Sequence, residues 1–524
     1  GGVIDKSTST ENYLMKGNYA ENSDDTQKSG GSIIFAGAGN DTILAGSGDY
    51  VYGGGGYNQI YLTDKNLRNS VLEGATIVMS DNSYDTVSNF AGGFDGDDDR
   101  IWIRNLEDIV FGDDSANLVM SSDKGRITFE NLTGDNDSAY ELKLTDGTND
   151  YNAAVARDGE VLDVSDGSAA DVFFGNENGI NFSEYTGAIE VNLNENSGSL
   201  NGGAAKFYGI NKVTGGAGDT SLIGAANTPN TLTAGTGNSS IWSNTGRDLM
   251  VGNTDEGKSG STTFFYMPSD GRDTIENLDF MSSATDVNAD KVYLDDDSGV
   301  TDVFLNGDDV VIGINNSEDD YLTLVDAKGK SFRLNDDLIA KVDTNVEFDG
   351  FTNCYVGMGN ATMTVGEGMG DAAVWLSDDS LEYHGIWYDG DFAVIDASLA
   401  NGNNTLAGNE LDNLIIGGVG NNSMWGGYAS SNDTLVGGAG QNTFFFALEN
   451  GHDVIQNAHD GDLVSLEDIY FDDVVRADIT DGGAVIELND GSTLEIQSTA
   501  AIDYRLQDGS TYTADRTSRQ WVQK

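Results

Sequence analysis

Residues 36–61 read AGAGNDTIL-AGSGDYVY-GGGGYNQIY, so that a glycine-rich turn alternates with a short run containing apolar residues. Glycine adopts backbone dihedrals that are closed to other residues, and each turn therefore predicts a sharp change of chain direction. The apolar residue after each turn, such as Ile43, predicts a short strand that packs against its equivalents in neighbouring turns. The stretch predicts stacked coils of β-structure.

The same pattern returns twice, at 215–250 and at 407–444, and each glycine-rich segment precedes a phrase that contains an aspartate and alternating apolar residues. The aspartates of these phrases, Asp85, Asp273 and Asp453, recur at intervals of 188 and 180 residues. Such self-similarity predicts repetition of a whole structural unit. We expect three β-roll units, with boundaries in polar stretches: 1–165, 166–345 and 346–524.

Hairpin signals follow the repeated phrases. Residues 485–496 hold Asp490-Gly491 between two alternating runs, and 303–312 and 142–148 hold similar Asn-Gly and Asp-Gly pairs. Such pairs favour tight turns between antiparallel strands. Gly is frequent (69) and Pro rare (2), which suits many turns and free backbone N–H groups. The predicted fold class is all-β: tandem parallel β-roll or β-solenoid ladders with flanking antiparallel hairpins and little helix.

The glycine-rich segments resemble the nonapeptide G-G-x-G-x-D-x-U-x of the RTX (repeats-in-toxin, hemolysin-type calcium-binding) family, where U is a large apolar residue. The resemblance implies a bacterial secreted or surface protein and a parallel β-roll that binds Ca²⁺ in its turns. Carboxylate and carbonyl oxygens are the ligands that Ca²⁺ prefers. The metal-ligand candidates that match the motif are Gly37, Gly39, Asp41, Asp248, Asp412 and Asp433.

The repeats depart from the family pattern at most of their aspartate positions. Neutral residues stand there instead: Tyr50, Asn58, Thr220, Ser239, Asn422 and Asn442. Amide and hydroxyl groups donate and accept hydrogen bonds between turns without a metal. We therefore expect few Ca²⁺ sites, zero to two in each ladder. The alternative is a solenoid with Gly/Asn turns and no metal.

The charge balance is strongly acidic, with 87 Asp and Glu against 26 Lys and Arg and a net charge of −61. Phosphates would meet a negative surface, which excludes nucleic acid as a partner. Bound cations or simple solvation could each offset the self-repulsion. The dense acidic group Asp95, Asp97, Asp98 and Asp99 is open to the same two interpretations, a solvated loop or a Ca²⁺ site.

Enzyme motifs are missing from the sequence. The three histidines, His384, His452 and His459, do not form the H-E-x-x-H zinc motif, and no serine lies in G-x-S-x-G. Cys354 has no nearby histidine, and we interpret it as a buried small hydrophobe. Pairs of carboxylates could still act in a cleft, yet their abundance carries no information. We expect no enzyme activity.

Three functions remain open: a structural surface protein, an adhesin or glycan-binding module, and a polysaccharide-active enzyme. Triplication of the unit favours an S-layer, filament or matrix protein that self-associates, because repetition supplies length and surface. The aromatic stretch 383–389, which includes Trp387 and Tyr388, favours sugar stacking or, alternatively, strand packing. We expect an extracellular location, no membrane span, and a processed form or fragment, since the chain begins Gly1-Gly2.

Overall fold

The computed structural model describes most of the chain. The described residues are 2–17, 19, 31–63, 74–94, 98–114, 117–130, 132, 139–157, 159–253, 258–295, 300–314, 317, 319–336, 338–349, 351–352, 354–367, 369–370, 372–376, 392–427 and 430–524. Two sequence predictions lie outside them: the acidic residues Asp95 and Asp97, and the aromatic stretch 383–389.

The described residues form 49 strands and two short 3-10 helices, Leu106–Asp108 and Phe471–Asp473, and contain no α-helix. No helix among them is long and apolar enough to cross a membrane. Contacts group the chain into two compact units, an N-terminal unit (1–263) and a C-terminal unit (264–524). The division into three repeated units stays a prediction.

The strands of the N-terminal unit are short, mostly three to seven residues. They are β1 (Val3–Asp5), β2 (Leu14–Lys16), β3 (Ile33–Phe35), β4 (Thr42–Ala45), β5 (Tyr50–Tyr52), β6 (Gly56–Leu62), β7 (Thr76–Val78), β8 (Ser83–Ser88), β9 (Arg100–Trp102), β10 (Val110–Asp114), β11 (Asn117–Ser121), β12 (Arg126–Glu130), β13 (Ala139–Thr145), β14 (Asp150–Ala156), β15 (Leu162–Asp163), β16 (Val172–Phe174), β17 (Gly179–Asn181), β18 (Ile189–Asn192), β19 (Ser197–Leu200), β20 (Gly203–Tyr208), β21 (Lys212–Thr214), β22 (Thr220–Ile223), β23 (Thr231–Thr233), β24 (Ser239–Trp242) and β25 (Leu249–Val251).

The remaining strands begin with one that starts at the end of the N-terminal unit. They are β26 (Thr262–Tyr266), β27 (Arg272–Glu276), β28 (Lys291–Leu294), β29 (Val300–Asn306), β30 (Asp309–Ile314), β31 (Tyr321–Leu324), β32 (Ser331–Leu334), β33 (Leu338–Phe348), β34 (Cys354–Val365), β35 (Ala373–Trp375), β36 (Phe392–Asp396), β37 (Thr405–Ala407), β38 (Leu414–Ile416), β39 (Ser423–Trp425), β40 (Thr434–Val436), β41 (Thr443–Ala447), β42 (His452–Gln456), β43 (Leu463–Glu467), β44 (Val474–Ile479), β45 (Ala484–Leu488), β46 (Thr493–Gln497), β47 (Asp503–Arg505), β48 (Thr511–Asp515) and β49 (Gln520–Gln523).

The N-terminal unit begins with a parallel β-roll whose odd and even strands enter two different sheets. Strands β3, β5, β7 and β9 pair in parallel in one sheet, and β4, β6 and β8 pair in parallel in the other. Inward residues of successive turns align, and Ile34, Val51 and Ile77 are each fully buried. Each coil is thus held by a contact with the same position in the next coil.

The C-terminal unit contains a second roll of the same construction. Strands β36, β38, β40 and β42 form one parallel stack, and β37, β39, β41 and β43 form the other. Their inward side chains belong to one buried apolar cluster that includes Ile415, Met424, Leu435 and Phe444. Burial of one large apolar side chain stabilises a fold by about 1.5–3 kcal/mol, so the repeated inward position dominates the packing.

The predicted hairpins are confirmed. Strands β45 and β46, β29 and β30, and β13 and β14 each pair antiparallel around the Asp-Gly or Asn-Gly turns. Cys354 is buried at the start of β34, as expected for a small hydrophobe. The all-β fold class with parallel rolls and flanking hairpins is therefore confirmed.

Candidate metal site

A buried polar residue lies at the end of each turn, two positions before the inward apolar residue; we call this position the slot. Asp41 occupies the slot before Ile43 and is 1% exposed. Its Oδ1 accepts a hydrogen bond from the backbone N–H of Tyr13 at 2.7 Å, and its Oδ2 accepts one from the N–H of Gly37 at 3.3 Å. The carboxylate thus joins its own turn to the preceding one.

The two candidate glycines are required by close stacking of the turns. A Cβ at Gly37 would lie 2.1 Å from the carbonyl oxygen of Ser9, and one at Gly39 would lie 2.3 Å from that of Glu11. The carbonyl oxygen of Gly37 accepts the N–H of Gly55 at 3.0 Å. These glycines therefore have a packing role that needs no metal.

Slots of successive coils form columns, and Asp41, Asn58 and Asp85 make up one that we call the first column. The backbone N–H of Asp41 donates to Asn58 Oδ1 at 2.9 Å, and Asn58 Nδ2 donates to Asp85 Oδ1 at 2.8 Å. In the part of the chain that the structure describes, the buried Asp85 Oδ2 has no hydrogen-bond partner. Burial raises the pKa of Asp85 to about 6.

Asp248 occupies a slot later in the N-terminal unit and is 2% exposed. Its Oδ1 accepts two hydrogen bonds from Asn230, from the backbone N–H at 2.6 Å and from Nδ2 at 3.0 Å. Burial raises the pKa of Asp248 above its ordinary value. A candidate metal ligand is again engaged by the neighbouring turn.

In the C-terminal unit, Asn413, Asp433 and Asp453 form the aspartate column. The N–H of Asn413 donates to Asp433 Oδ1 at 2.7 Å, and the N–H of Asp433 donates to Asp453 Oδ1 at 3.0 Å. Burial raises the pKa of Asp433 to about 6 and that of Asp453 to about 8, and repulsion between nearby carboxylates adds to both shifts. This column holds two stacked buried carboxyl groups.

Two slot positions differ from the sequence register. Asp412 lies on the exposed position before the slot, where its Oδ1 accepts the N–H of Asn432 at 2.8 Å, and Asn413 fills the slot. Tyr50 is exposed, and the preceding Asp49 is the buried slot residue, with Oδ1 accepting the N–H of Ser32 at 2.6 Å. The slot lies two positions before the inward apolar residue. That residue is Ile415 in one coil and Val51 in the other, so the slots are Asn413 and Asp49.

On the facing stack, Asn404, Asn422 and Asn442 form the asparagine column. Asn422 Nδ2 donates to the carbonyl oxygens of Gly418 at 3.2 Å and Gly420 at 2.8 Å, both in its own turn. Calcium would need those carbonyl oxygens as ligands, and an N–H donor cannot replace a ligand oxygen. With the amide in this orientation, its N–H groups occupy the position between those oxygens, and the asparagine column as it stands does not fit Ca²⁺.

The structure does not bring the six predicted ligands together at one point. Gly37, Gly39 and Asp41 belong to one turn, whereas the other three candidates lie elsewhere in the chain. Asp41, Asp248 and Asp433 each accept hydrogen bonds from a neighbouring turn. Among the residues that the structure describes, no group of three or more His, Cys, Asp or Glu side chains has an arrangement that could hold a metal ion. Calcium binding at these residues stays a prediction.

Comparisons with known proteins give little further information about the site. No family model matches the chain, and no curated protein matches it. Among solved structures, the chain is similar to the extracellular lipase LipA from Serratia marcescens, with 15% identity and a TM-score of 0.13 over 58% of this chain and 39% of the lipase. The chain therefore spans well under half of the length of that lipase. Because this TM-score describes no shared overall shape, nothing about activity, location or metal is carried over.

Several residues that fill slots in the structure do not match the aspartate position of the glycine motif. They are Asp49, Asn404, Asn413, Asp453 and Asp462. Each stands two positions before a buried apolar side chain, as Asp462 does before Val464. A search for a small polar residue at that spacing, without the glycine motif, would have found them.

Proposed function

We propose that this chain is a secreted bacterial cell-surface structural protein, an S-layer, filament or matrix subunit, that self-associates through its β-rolls. The observation that supports self-association is a row of exposed apolar side chains on the N-terminal roll. Val3, Ile33 and Tyr50 are aligned by the parallel register of β1, β3 and β5, and they are 66%, 39% and 45% exposed. Contiguous exposed apolar groups of this kind favour protein association.

The charge of the chain bears on how copies could associate through this row. A net charge of −61 opposes contact between copies, and association then needs a surface that offers burial of apolar groups. The row lies on three neighbouring strands of one sheet, which places its members side by side for contact with a second copy. Catalysis has no part in this proposal.

The proposal includes a few Ca²⁺ ions bound at aspartate-containing turns. Asp41 with Gly37 and Gly39, Asp248, and Asp433 with its outer neighbour Asp412 are the residues that would hold the few Ca²⁺ ions. Extracellular calcium is abundant enough to fill weak sites. A cation beside a buried carboxylate would favour its charged form, which burial disfavours at Asp433.

A second candidate function, a glycan-binding adhesin, is favoured by a different surface. Tyr57 and Tyr84 are 68% and 48% exposed, and their rings stack with centroids 5.0 Å apart and an interplanar angle of 23°. Exposed aromatic rings provide apolar faces against which a sugar ring can pack. Binding of surface glycans without self-association would favour this function over the structural one.

Self-association is tested by light scattering after size-exclusion chromatography and by electron microscopy, with calcium and with a chelator. We expect oligomers, sheets or filaments for the natural chain and a shift toward monomer for Ile33→Asp. The matched control is Gln59→Asp, which adds the same charge at an exposed strand position in the facing sheet. A natural chain that is monomeric in both conditions would contradict the proposal.

A further inference from the structure

We infer that the asparagine column of the C-terminal unit takes the place of a bound cation, so that this part of the roll is held together without metal. The inference concerns residues 404–447 and is independent of self-association. It rests on hydrogen bonds made by three asparagine side chains in successive coils, Asn404, Asn422 and Asn442.

Each asparagine amide makes contacts in two directions. Asn422 Nδ2 donates to Gly418 O and Gly420 O within its turn and to Asn442 Oδ1 of the next coil at 3.0 Å. Asn442 repeats the pattern, because its Nδ2 donates to Gly438 O at 3.2 Å and to Gly440 O at 3.0 Å. The amide hydrogens thus lie where the glycine carbonyl oxygens of the turn converge.

The oxygen atoms of these amides complete the column. Asn422 Oδ1 accepts the N–H of Asn404 at 3.3 Å, and Asn442 Oδ1 accepts the N–H of Asn422 at 3.1 Å. The last member of the series is Asp462, whose Oδ1 accepts the N–H of Asn442 at 2.7 Å. Its Oδ2 accepts the N–H of His459 at 2.8 Å. Both oxygens of this terminal carboxylate are therefore engaged by N–H groups.

The chemistry of the amide group explains how it can replace a cation. Converging carbonyl oxygens need positive charge between them, which a cation or N–H hydrogens can supply. An asparagine provides both the hydrogens for its own turn and the oxygen for the preceding coil, whereas an ionised aspartate provides oxygens alone. The column therefore keeps its turns closed with no net charge at Asn404, Asn422 and Asn442.

A second, exposed row of side chains provides the matched control. Asn403 Oδ1 accepts the N–H of Asn421 at 2.8 Å, and Asn421 Oδ1 accepts the N–H of Gln441 at 2.8 Å. These residues precede the slots by one position and act here through their oxygen atoms. Replacing Asn421 by Asp preserves an acceptor oxygen, whereas replacing Asn422 by Asp removes the donor that the glycine carbonyls require.

The test is hydrogen exchange of the full-length chain, measured by mass spectrometry on peptides that cover 417–447, in calcium and in EDTA. We expect the natural chain to show the same protection in both solutions. In EDTA, Asn422→Asp should exchange about 10-fold faster or more in this segment, because buried acceptors lose their donor. Asn421→Asp, which adds the same charge, should stay within about 2-fold of the natural chain.

Either of two results would overturn the inference. The first is loss of protection across 417–447 of the natural chain in EDTA, which would show that a cation holds the column. The second is equal exchange in Asn422→Asp and Asn421→Asp, which would show that the amide hydrogens do not stabilise the turns. The natural-chain measurement keeps the test decisive if Asn422→Asp does not fold.

Discussion

The asparagine column and the aspartate column lie on facing stacks of the same roll. Both connect neighbouring coils through a buried slot residue, but they do so with different side chains. In the first, the amide of Asn422 satisfies the glycine carbonyls of its turn and carries no charge. In the second, Asp433 and Asp453 are stacked in the buried slots, and burial raises the pKa of both. The difference shows that the slot requires an acceptor oxygen for the preceding coil, while its second function depends on the residue that fills it.

The largest expected change in stability is the loss caused by replacing Asn442. Asn442→Ala removes the donor to Gly438 O and Gly440 O and the acceptor for the N–H of Asn422. We expect the free energy of unfolding of the C-terminal unit to fall by about 3 kcal/mol, because several buried polar groups lose partners. Denaturant unfolding measures the loss. The control is Gln441→Ala at the exposed position before it, which should cost about 0.5 kcal/mol or less.

The next effect is a gain of stability at Asp453. Asp453→Asn keeps an oxygen that accepts the N–H of Asp433 and removes a buried carboxyl group whose pKa is raised to about 8. At pH 8 we expect the free energy of unfolding to rise by on the order of 1–3 kcal/mol. Asp412→Asn, an exposed change of the same kind, should change it by about 0.5 kcal/mol or less. A loss of stability in Asp453→Asn would contradict the comparison of the two columns.

The smallest expected effect is the same substitution at low pH. Burial raises the pKa of Asp453 from the ordinary 3.8 to about 8, so between these values the folded chain holds a proton that the unfolded chain has released. The free energy of unfolding of the natural chain therefore falls as pH rises through that window. Near pH 4 the gain from Asp453→Asn should shrink to about 0.5 kcal/mol, because this pH lies only just above the ordinary pKa of 3.8 and the two states then differ by little more than half a proton. Thermal unfolding of both proteins from pH 4 to pH 8 measures the trend.

The fold class could be predicted from the sequence because turns and strands carry separate local signals. Asp490-Gly491 defines a hairpin by itself, and the alternation around Ile43 defines the inward face of its strand. The slot register was harder to predict where apolar residues are consecutive. In Leu414, Ile415 and Ile416 the sequence does not show which side chain points inward, and the structure shows that it is Ile415. The motif therefore predicts Asp412 as the slot residue, whereas Asn413 fills the slot in the structure.

The role of the slots could be predicted only in part. The sequence indicated that a neutral Asn at 422 or 442 could join turns without a metal, and the hydrogen bonds confirm that these side chains connect the coils. It did not indicate that each amide would also satisfy two glycine carbonyls of its own turn. That contact depends on how tightly the turn closes, which the one-dimensional pattern does not contain.

The most direct test of the central claim is a crystal structure of the full-length chain grown in calcium, with long-wavelength anomalous data that locate calcium ions. The account predicts no anomalous peak at the carbonyl oxygens of Gly418, Gly420, Gly438 and Gly440, where the amides of Asn422 and Asn442 should lie instead. A calcium peak coordinated by those oxygens, with the amides turned away, would contradict it.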